Sequence, residues 1–152
     1  SPPSLDSDSV LYWAWSVLKF VALAHLFSEY ALEVTMTVGP SMKPTMNESG
    51  DVLLVDKTCN APWPLASRIS TGDIVVARSP VNAKTLICKR VKAMEGERNR
   101  QGRLMTAGQV WLEGDNPLNS TDSRDYGPVP EALIEGRVFF RLWPPSSFGF
   151  VR

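Results

Sequence analysis

The run TLICKRV, residues 85–91, has the composition of a β-strand that carries a lysine in its middle. Side chains two residues apart on a strand share a face, so Ile87, Lys89 and Val91 point the same way. Lys89 therefore stands between two β-branched apolar side chains. Burial disfavours the charged form of lysine and lowers its pKa, so this pattern predicts an amine that can accept a proton. Taken alone, Lys89 would be interpreted as a solvated lysine on an edge strand.

A second stretch, GPSMKPT at residues 39–45, places a serine between two prolines. Such a stretch is typical of a turn. A serine hydroxyl becomes a nucleophile when a base removes its proton. The one histidine, His25, lies in an apolar N-terminal segment, which leaves Lys89 as the candidate base for Ser41. Taken alone, Ser41 would be an ordinary turn serine.

Other short apolar runs surround these two stretches. They are rich in valine, isoleucine and aromatic residues and are bounded by turn signals such as Ser49-Gly50 and Thr71-Gly72. The predicted strands cover residues 51–56, 73–78, 85–94, 109–113 and 137–143. The sequence therefore predicts a mainly β catalytic domain over residues 34–152.

The N-terminal part of the chain has a helical and strongly apolar character. Residues 10–27, VLYWAWSVLKFVALAHLF, contain 15 apolar residues among 18. As a helix they would be about 27 Å long, slightly shorter than a hydrocarbon core of about 30 Å. Lys19 would cost about 2.5–3.5 kcal/mol near mid-span unless it snorkels or faces a partner helix. We expect a membrane-anchoring helix at about residues 10–31 within an N-terminal segment 1–33; a soluble or interfacial hydrophobic helix is the alternative.

Composition excludes several functional classes. Lysine and arginine together number 16, as do aspartate and glutamate, so no excess charge favours nucleic acid as a partner. Two cysteines and one histidine cannot build a disulfide framework or a four-ligand zinc site. We expect no metal, no other cofactor and no nucleic-acid partner.

A third stretch, GDNPLNSTDSR at residues 114–124, is a dense polar loop. Together with the serine and lysine stretches it resembles the type I signal peptidases, membrane-anchored proteases with a Ser-Lys dyad. The family motifs occur in order as SMKPT (41–45), GDIV (72–75), KRV (89–91) with EGE (95–97) behind it, and the 114–124 loop. The resemblance covers about residues 34–143 and is specific as a set. Within the family the chain looks most like the mitochondrial members.

The resemblance implies a catalytic dyad and a set of supporting residues. Ser41 would be the nucleophile and Lys89 the general base. The backbone N–H of Ser41 would donate to the oxyanion; many bacterial members add a serine side chain where this chain has Gly39. Ser120 would orient the Lys89 amine, Asp122 and Arg124 would pair beside it, and the remaining supporting residues would be Asp115 and Met42.

The resemblance also implies a location and partners. The chain would lie in the mitochondrial inner membrane with its catalytic domain facing the intermembrane space. It would remove sorting signals from precursor polypeptides, and its partners would be the lipid bilayer and a related second protease subunit. Three alternatives remain open: a bacterial-type or plastid signal peptidase at another membrane, a non-catalytic assembly subunit, and a self-cleaving repressor-type domain. The apolar N-terminal helix and the lack of a basic DNA-reading element disfavour the last.

Overall fold

The fold is an antiparallel sheet preceded by one long helix. The computed structural model describes residues 7–60 and 67–151, with the side chains of residues 7–8, 26–30 and 60 outside that description. The helix is α1 (Ser7–Ala31), and the strands are β1 (Leu32–Val38), β2 (Ser49–Asp56), β3 (Ile74–Arg78), β4 (Leu86–Ala93), β5 (Gln109–Glu113), β6 (Val129–Pro130), β7 (Ile134–Trp143) and β8 (Gly149–Phe150). Their spatial order is β1-β2-β7-β3-β4-β5-β6, and β8 pairs with β7.

The predicted fold class, a mainly β domain with one N-terminal helix, is confirmed. The five predicted strands correspond to β2, β3, β4, β5 and β7, with ends that differ by at most three residues. The sequence did not single out β1, β6 or β8: β1 continues directly from the helix, and β6 and β8 are each two residues long and show no alternation. The boundary between an N-terminal segment 1–33 and a catalytic domain 34–152 stays a prediction, and residues 1–6 and 152 lie outside the described part of the chain.

The hydrophobic core lies on both faces of β3. Ile74 and Val76 pack on one face against Leu53 of β2, whereas Val75 and Ala77 pack on the other. A strand buried on both faces has an unbroken apolar sequence, which explains the run IVVA in β3. The partners of Val75 and Ala77 come from β4 to β7: Val91, Val110, Leu112, Val129 and Ile134. This two-sided core makes β3 and its neighbour β4 rigid supports for what they carry.

Helix α1 runs directly into β1, with Ala31 as its last residue and Leu32 as the first of the strand. Its 25 residues correspond to a length of about 37 Å. Among the residues that the structure describes, no helix is both long enough and apolar enough to cross a membrane. That finding does not bear out the anchor expected at about residues 10–31, of which the side chains of 26–30 lie outside the description. The anchor stays a prediction.

Replacement of Leu53 tests whether the core next to the Ser41 turn stabilises the fold. Leu53 is fully buried and packs in one cluster with Met42 and Met46. We expect Leu53→Ala to lower the free energy of unfolding by about 2–5 kcal/mol, because the substitution leaves a cavity. Leu118→Ala is the matched control, since Leu118 is 91% exposed. Equal denaturant midpoints for the two variants would contradict this account of the core.

Candidate active site

Ser41 lies in a single 3-10 turn, Pro40–Met42, between β1 and β2. The turn begins after Gly39, whose φ of 112° is in a region that side-chain-bearing L residues rarely adopt. A side chain at position 39 would be strained in this conformation, so the turn favours glycine there. Below the turn, Met42 is 3% exposed and packs against Met46 and Leu53. The turn that carries Ser41 is thus anchored to the core through Met42.

The polar loop that follows β5 holds this turn from the other side. The backbone N–H of Asn116 donates to the carbonyl oxygen of Ser41 at 2.9 Å. The Asn116 side-chain Nδ2 donates to the carbonyl oxygen of Pro40 at 3.0 Å. Both carbonyl groups next to the Ser41 hydroxyl are therefore held by one residue.

Lys89 is central in β4 and is 4% exposed. The burial expected from strand alternation is observed, with Val91 fully buried on the same strand. Its Nζ donates to Ser120 Oγ at 2.9 Å. Burial lowers the pKa of Lys89 from its ordinary value because the ammonium loses hydration, while the Asp122 carboxylate acts in the opposite direction. Lys89 is thus a buried amine whose protonation is less favourable than that of a solvated lysine.

Ser120 receives its orientation from Asp122. Ser120 Oγ donates to Asp122 Oδ2 at 2.6 Å, and the fully buried Asp122 also accepts from Gly114 N at 2.8 Å and from Arg124 Nε at 2.8 Å. Burial acts to raise the pKa of Asp122, but hydrogen bonds from Arg124, Ser120 and Gly114 outweigh it and hold the pKa well below its usual range. An ionised carboxylate only accepts, so the Ser120 proton points to Asp122 and its lone pairs face Lys89.

The sequence around Asp122 explains how the 114–124 loop is held beside Ser120. Asp122 is the N-cap of α2 (Ser123–Tyr126) and accepts from the backbone N–H of Arg124 at 3.1 Å. The backbone N–H of Asp122 in turn donates to the Asp125 side chain at 2.9 Å, which completes a capping box. The buried Ser123 Oγ accepts from Leu112 N of β5 at 2.9 Å. The capping box therefore fixes Asp122 relative to the sheet.

Ser41 and Lys89 line the same cavity, which has a volume of about 300 Å³. Gly114 lies where the Ser41 turn meets the Ser120 loop. A Cβ atom at Gly114 would lie 2.2 Å from Ser120 Oγ and 2.6 Å from the Ser41 carbonyl oxygen. The close approach of these two segments thus requires glycine, and the structure brings Ser41, Lys89 and Ser120 together.

Asp115 belongs to a second network beside the first. Arg90 Nε and one terminal nitrogen donate to its two carboxylate oxygens at 2.8 and 2.7 Å, and Thr45 Oγ1 donates at 2.6 Å. Burial acts to raise the pKa of Asp115, but bonds from Arg90 and Thr45 outweigh it and lower the pKa. Another Arg90 nitrogen donates to the Gly72 carbonyl oxygen at 2.8 Å. Asp115 therefore ties the loop after Ser41 to β4 and to the turn before β3.

Sequence reasoning gave no role to several residues of this arrangement. Thr45, Arg90, Gly114 and Asn116 all lie within the recognised motifs. Arg90 directly follows Lys89 on the strand, so period-two alternation turns its side chain to the opposite face. The contacts of Asn116 depend on how two distant loops meet, and nothing in the spacing reveals that.

The close approach at Gly114 can be tested by adding one methyl group. We expect Gly114→Ala to destabilise the fold by about 1–3 kcal/mol, because Ser120 and the Ser41 turn would have to move apart. Thermal unfolding measures the effect, with Thr121→Ala as the control at an exposed position of the same loop. A Gly114→Ala protein that unfolds together with the Thr121→Ala protein would show that the two segments are not in contact.

Comparison with known proteins places this geometry in a family. The family model described as "Signal peptidase, peptidase S26" matches residues 10–100 and 97–143. The human mitochondrial inner membrane protease subunit 1 is 42% identical over 144 residues, covering 89% of this chain and 84% of the relative. The Arabidopsis thaliana mitochondrial ATP-independent inner membrane protease subunit 1a is 40% identical over 147 residues, covering 90% and 85%.

A more distant relative is mitochondrial inner membrane protease subunit 2 of Saccharomyces cerevisiae. It is 27% identical over 147 residues, covering 87% of this chain and 80% of the relative. The buried lysine, the turn serine and the capped polar loop thus lie within a region that a peptidase family model matches almost throughout. The chain belongs to the signal peptidase family, peptidase S26, and is a serine peptidase of the signal peptidase type.

Proposed function

We propose that this chain is the catalytic subunit of an inner membrane protease and removes sorting signals from precursor proteins by a Ser41/Lys89 acyl-enzyme mechanism. One observation carries the proposal: Lys89 is buried, its amine is bonded to Ser120, and it lines the same cavity as Ser41. A subunit that served only for assembly would have no use for a buried lysine facing a serine.

The first half of the reaction forms an acyl-enzyme. A neutral amine has two N–H groups and one lone pair, and Ser120 accepts a hydrogen bond from one of the N–H groups. The lone pair of Lys89 then takes the Ser41 Oγ proton as Oγ attacks the scissile carbonyl carbon. The Ser41 backbone N–H would donate to the oxyanion. One such donor contributes about 2.7–4 kcal/mol of transition-state stabilisation in another serine protease.

Collapse of the tetrahedral intermediate completes the acyl-enzyme: the Lys89 ammonium gives its proton to the leaving amine as the peptide C–N bond breaks, and Lys89 becomes a base again. The second half hydrolyses the ester and releases the remaining product. A water molecule, deprotonated by Lys89, attacks the Ser41 ester; the C–O bond to Ser41 breaks and the serine regains a proton from Lys89. Asp122 and Arg124 take no part in these transfers and act by keeping Ser120 in one orientation.

The substrate would bind as an extended segment. The cavity is lined by residues 35–38 of β1, by Thr85 and residues 86–89 of β4, and by the apolar Met42, Met46, Leu53 and Val76. In the described residues, β1 is at one edge of the sheet, and β5 pairs only with the second half of β4, from Arg90 to Ala93. Exposed strand edges next to an apolar cavity suit a peptide that pairs through its backbone and inserts alternate side chains.

The names of the relatives support a proposal about location and assembly. Several of them are named as mitochondrial inner membrane proteases, and both subunit 1 and subunit 2 are represented. We infer that this chain is held at the mitochondrial inner membrane with its catalytic domain facing the intermembrane space. There it would work with a related second subunit and meet precursor polypeptides as they emerge.

Substitution of the dyad tests the proposal in the full chain in detergent. We expect Ser41→Ala and Lys89→Met each to reduce precursor cleavage by about 10⁴-fold or more, as loss of the nucleophile or base does in other serine proteases. Lys43→Met is the matched control, because Lys43 is an exposed lysine two residues from Ser41 and pairs with Glu48. The control should cleave at the wild-type rate.

The same assay has outcomes that would overturn the proposal. Cleavage that survives either dyad substitution in a folded protein would exclude the Ser41/Lys89 mechanism. If the wild type is inactive alone, the assay is repeated with the second subunit present. Continued inactivity would make this chain an assembly subunit.

The pH dependence of the reaction tests the charges around Lys89. Lys89 must be neutral to act as a base, so kcat/KM should rise with pH through the pKa of Lys89. The Asp122 carboxylate raises that pKa and Arg124 lowers it. Asp122→Asn should therefore move the rising limb to lower pH, and Arg124→Gln should move it to higher pH, whatever each does to the maximal rate. Limbs that shift in the same direction, or not at all, would contradict Lys89 as the titrating base.

A further inference from the structure

We infer that Arg141, which lies outside the family motifs, is a positioning residue that holds the loop following Ser41. This inference rests on the proposed function of Ser41. Arg141 is on β7 and is 8% exposed. One of its terminal nitrogens donates to the carbonyl oxygen of Thr45 at 2.6 Å. The other lies 3.5 Å from an oxygen of Asp51, a fully buried carboxylate.

Asp51 holds the same loop at Asn47, two residues after Thr45. Its two carboxylate oxygens accept from the backbone N–H of Asn47 at 3.0 Å and from Asn47 Nδ2 at 2.6 Å. The Asp51–Arg141 pair therefore bonds to the backbone carbonyl of Thr45 and to both the backbone and the side chain of Asn47. Met46, between them, and Asn47 both line the cavity that contains Ser41 and Lys89.

A β-bulge in the pairing of β2 with β7 turns the Arg141 side chain toward the buried face of the sheet. In the pairing of β2 with β7, Leu54 lies opposite Phe140 and Val55 opposite Val138, so one step on β2 matches two on β7. This β-bulge places Arg141 opposite Leu53, whose side chain is fully buried. Regular alternation from the buried Val138 would have turned residue 141 to the other face. Bulges that redirect a side chain are common beside active sites.

The energetics indicate a positional role for this pair. Removing two charges from water is costly, and buried ion pairs are frequently no more stabilising than apolar side chains of similar volume. What an apolar pair cannot supply is the two directed contacts to the loop. The opposite side of the same loop is held by the Thr45 hydroxyl on Asp115. Thr45 is thus bonded at both its hydroxyl and its carbonyl, and Arg141 supplies one of these restraints.

The decisive experiment removes both charges together. Asp51→Leu combined with Arg141→Met leaves no uncompensated buried charge, so thermal unfolding should stay near that of the wild type. In the full chain, with the precursor that the wild type cleaves, we expect kcat to fall by about 100-fold, as a misplacement of about 1 Å can cost. KM should change less, because the edges of β1 and β4 along which the substrate would pair are unaltered. Arg137→Met is the matched control, since Arg137 is on the same strand and pairs with Asp56 and Asp73.

If the double variant fails to fold, Arg141→Lys tests the loop contacts in a protein that still folds. Lysine keeps the positive charge near Asp51 but lacks the planar fork that reaches two acceptors at once. We expect it to fold and to lose about 10-fold or more in kcat, since only one contact survives. A folded double variant, or Arg141→Lys, with kcat within about twofold of the wild type would overturn the inference. Ser41→Ala serves as the blank: if it cleaves, the proposed function itself is wrong.

Discussion

The burial of the Lys89 amine against Ser120 is the constraint on which the rest of the site depends. A lysine with its ordinary pKa of about 10.4 is almost fully protonated at neutral pH and cannot serve as a base. The two-sided core around β3 and β4 supplies the dry surroundings that lower this pKa. A base of this kind therefore requires a well-packed sheet behind it, and the fold and the chemistry are set by the same side chains.

The Lys89 amine must also be oriented toward the serine, and a chain of hydrogen bonds orients it. Arg124 and the Gly114 N–H keep Asp122 ionised, Asp122 accepts a hydrogen bond from the Ser120 hydroxyl, and the Ser120 oxygen is left to accept from Lys89. The lone pair of Lys89 is then free to face the serine. The Asp122 carboxylate that orients the amine also favours its protonation, so the site balances orientation against basicity.

Much of this could be predicted from the sequence, because the informative signals are local. The alternation of residues 85–91 indicated the burial of Lys89, and continuous apolar runs marked the central strands. The motifs also identified Ser120, Asp122 and Arg124, whose catalytic roles stay proposals. Arg141 was not predictable, since its inward direction depends on a bulge in β7 that period-two alternation does not reveal. The contacts of Asn116 with the Ser41 turn depend likewise on two loops 76 residues apart in sequence.

The protonation of Lys89 is the most direct test of this account. NMR titration of selectively labelled lysine in the full-length Ser41→Ala protein in detergent micelles would report it, with Lys89→Met assigning the resonance. We expect Lys89 to titrate below the ordinary lysine value of about 10.4. A Lys89 that titrates at or above that value would be protonated during catalysis, and Lys89 could then not be the base that activates Ser41.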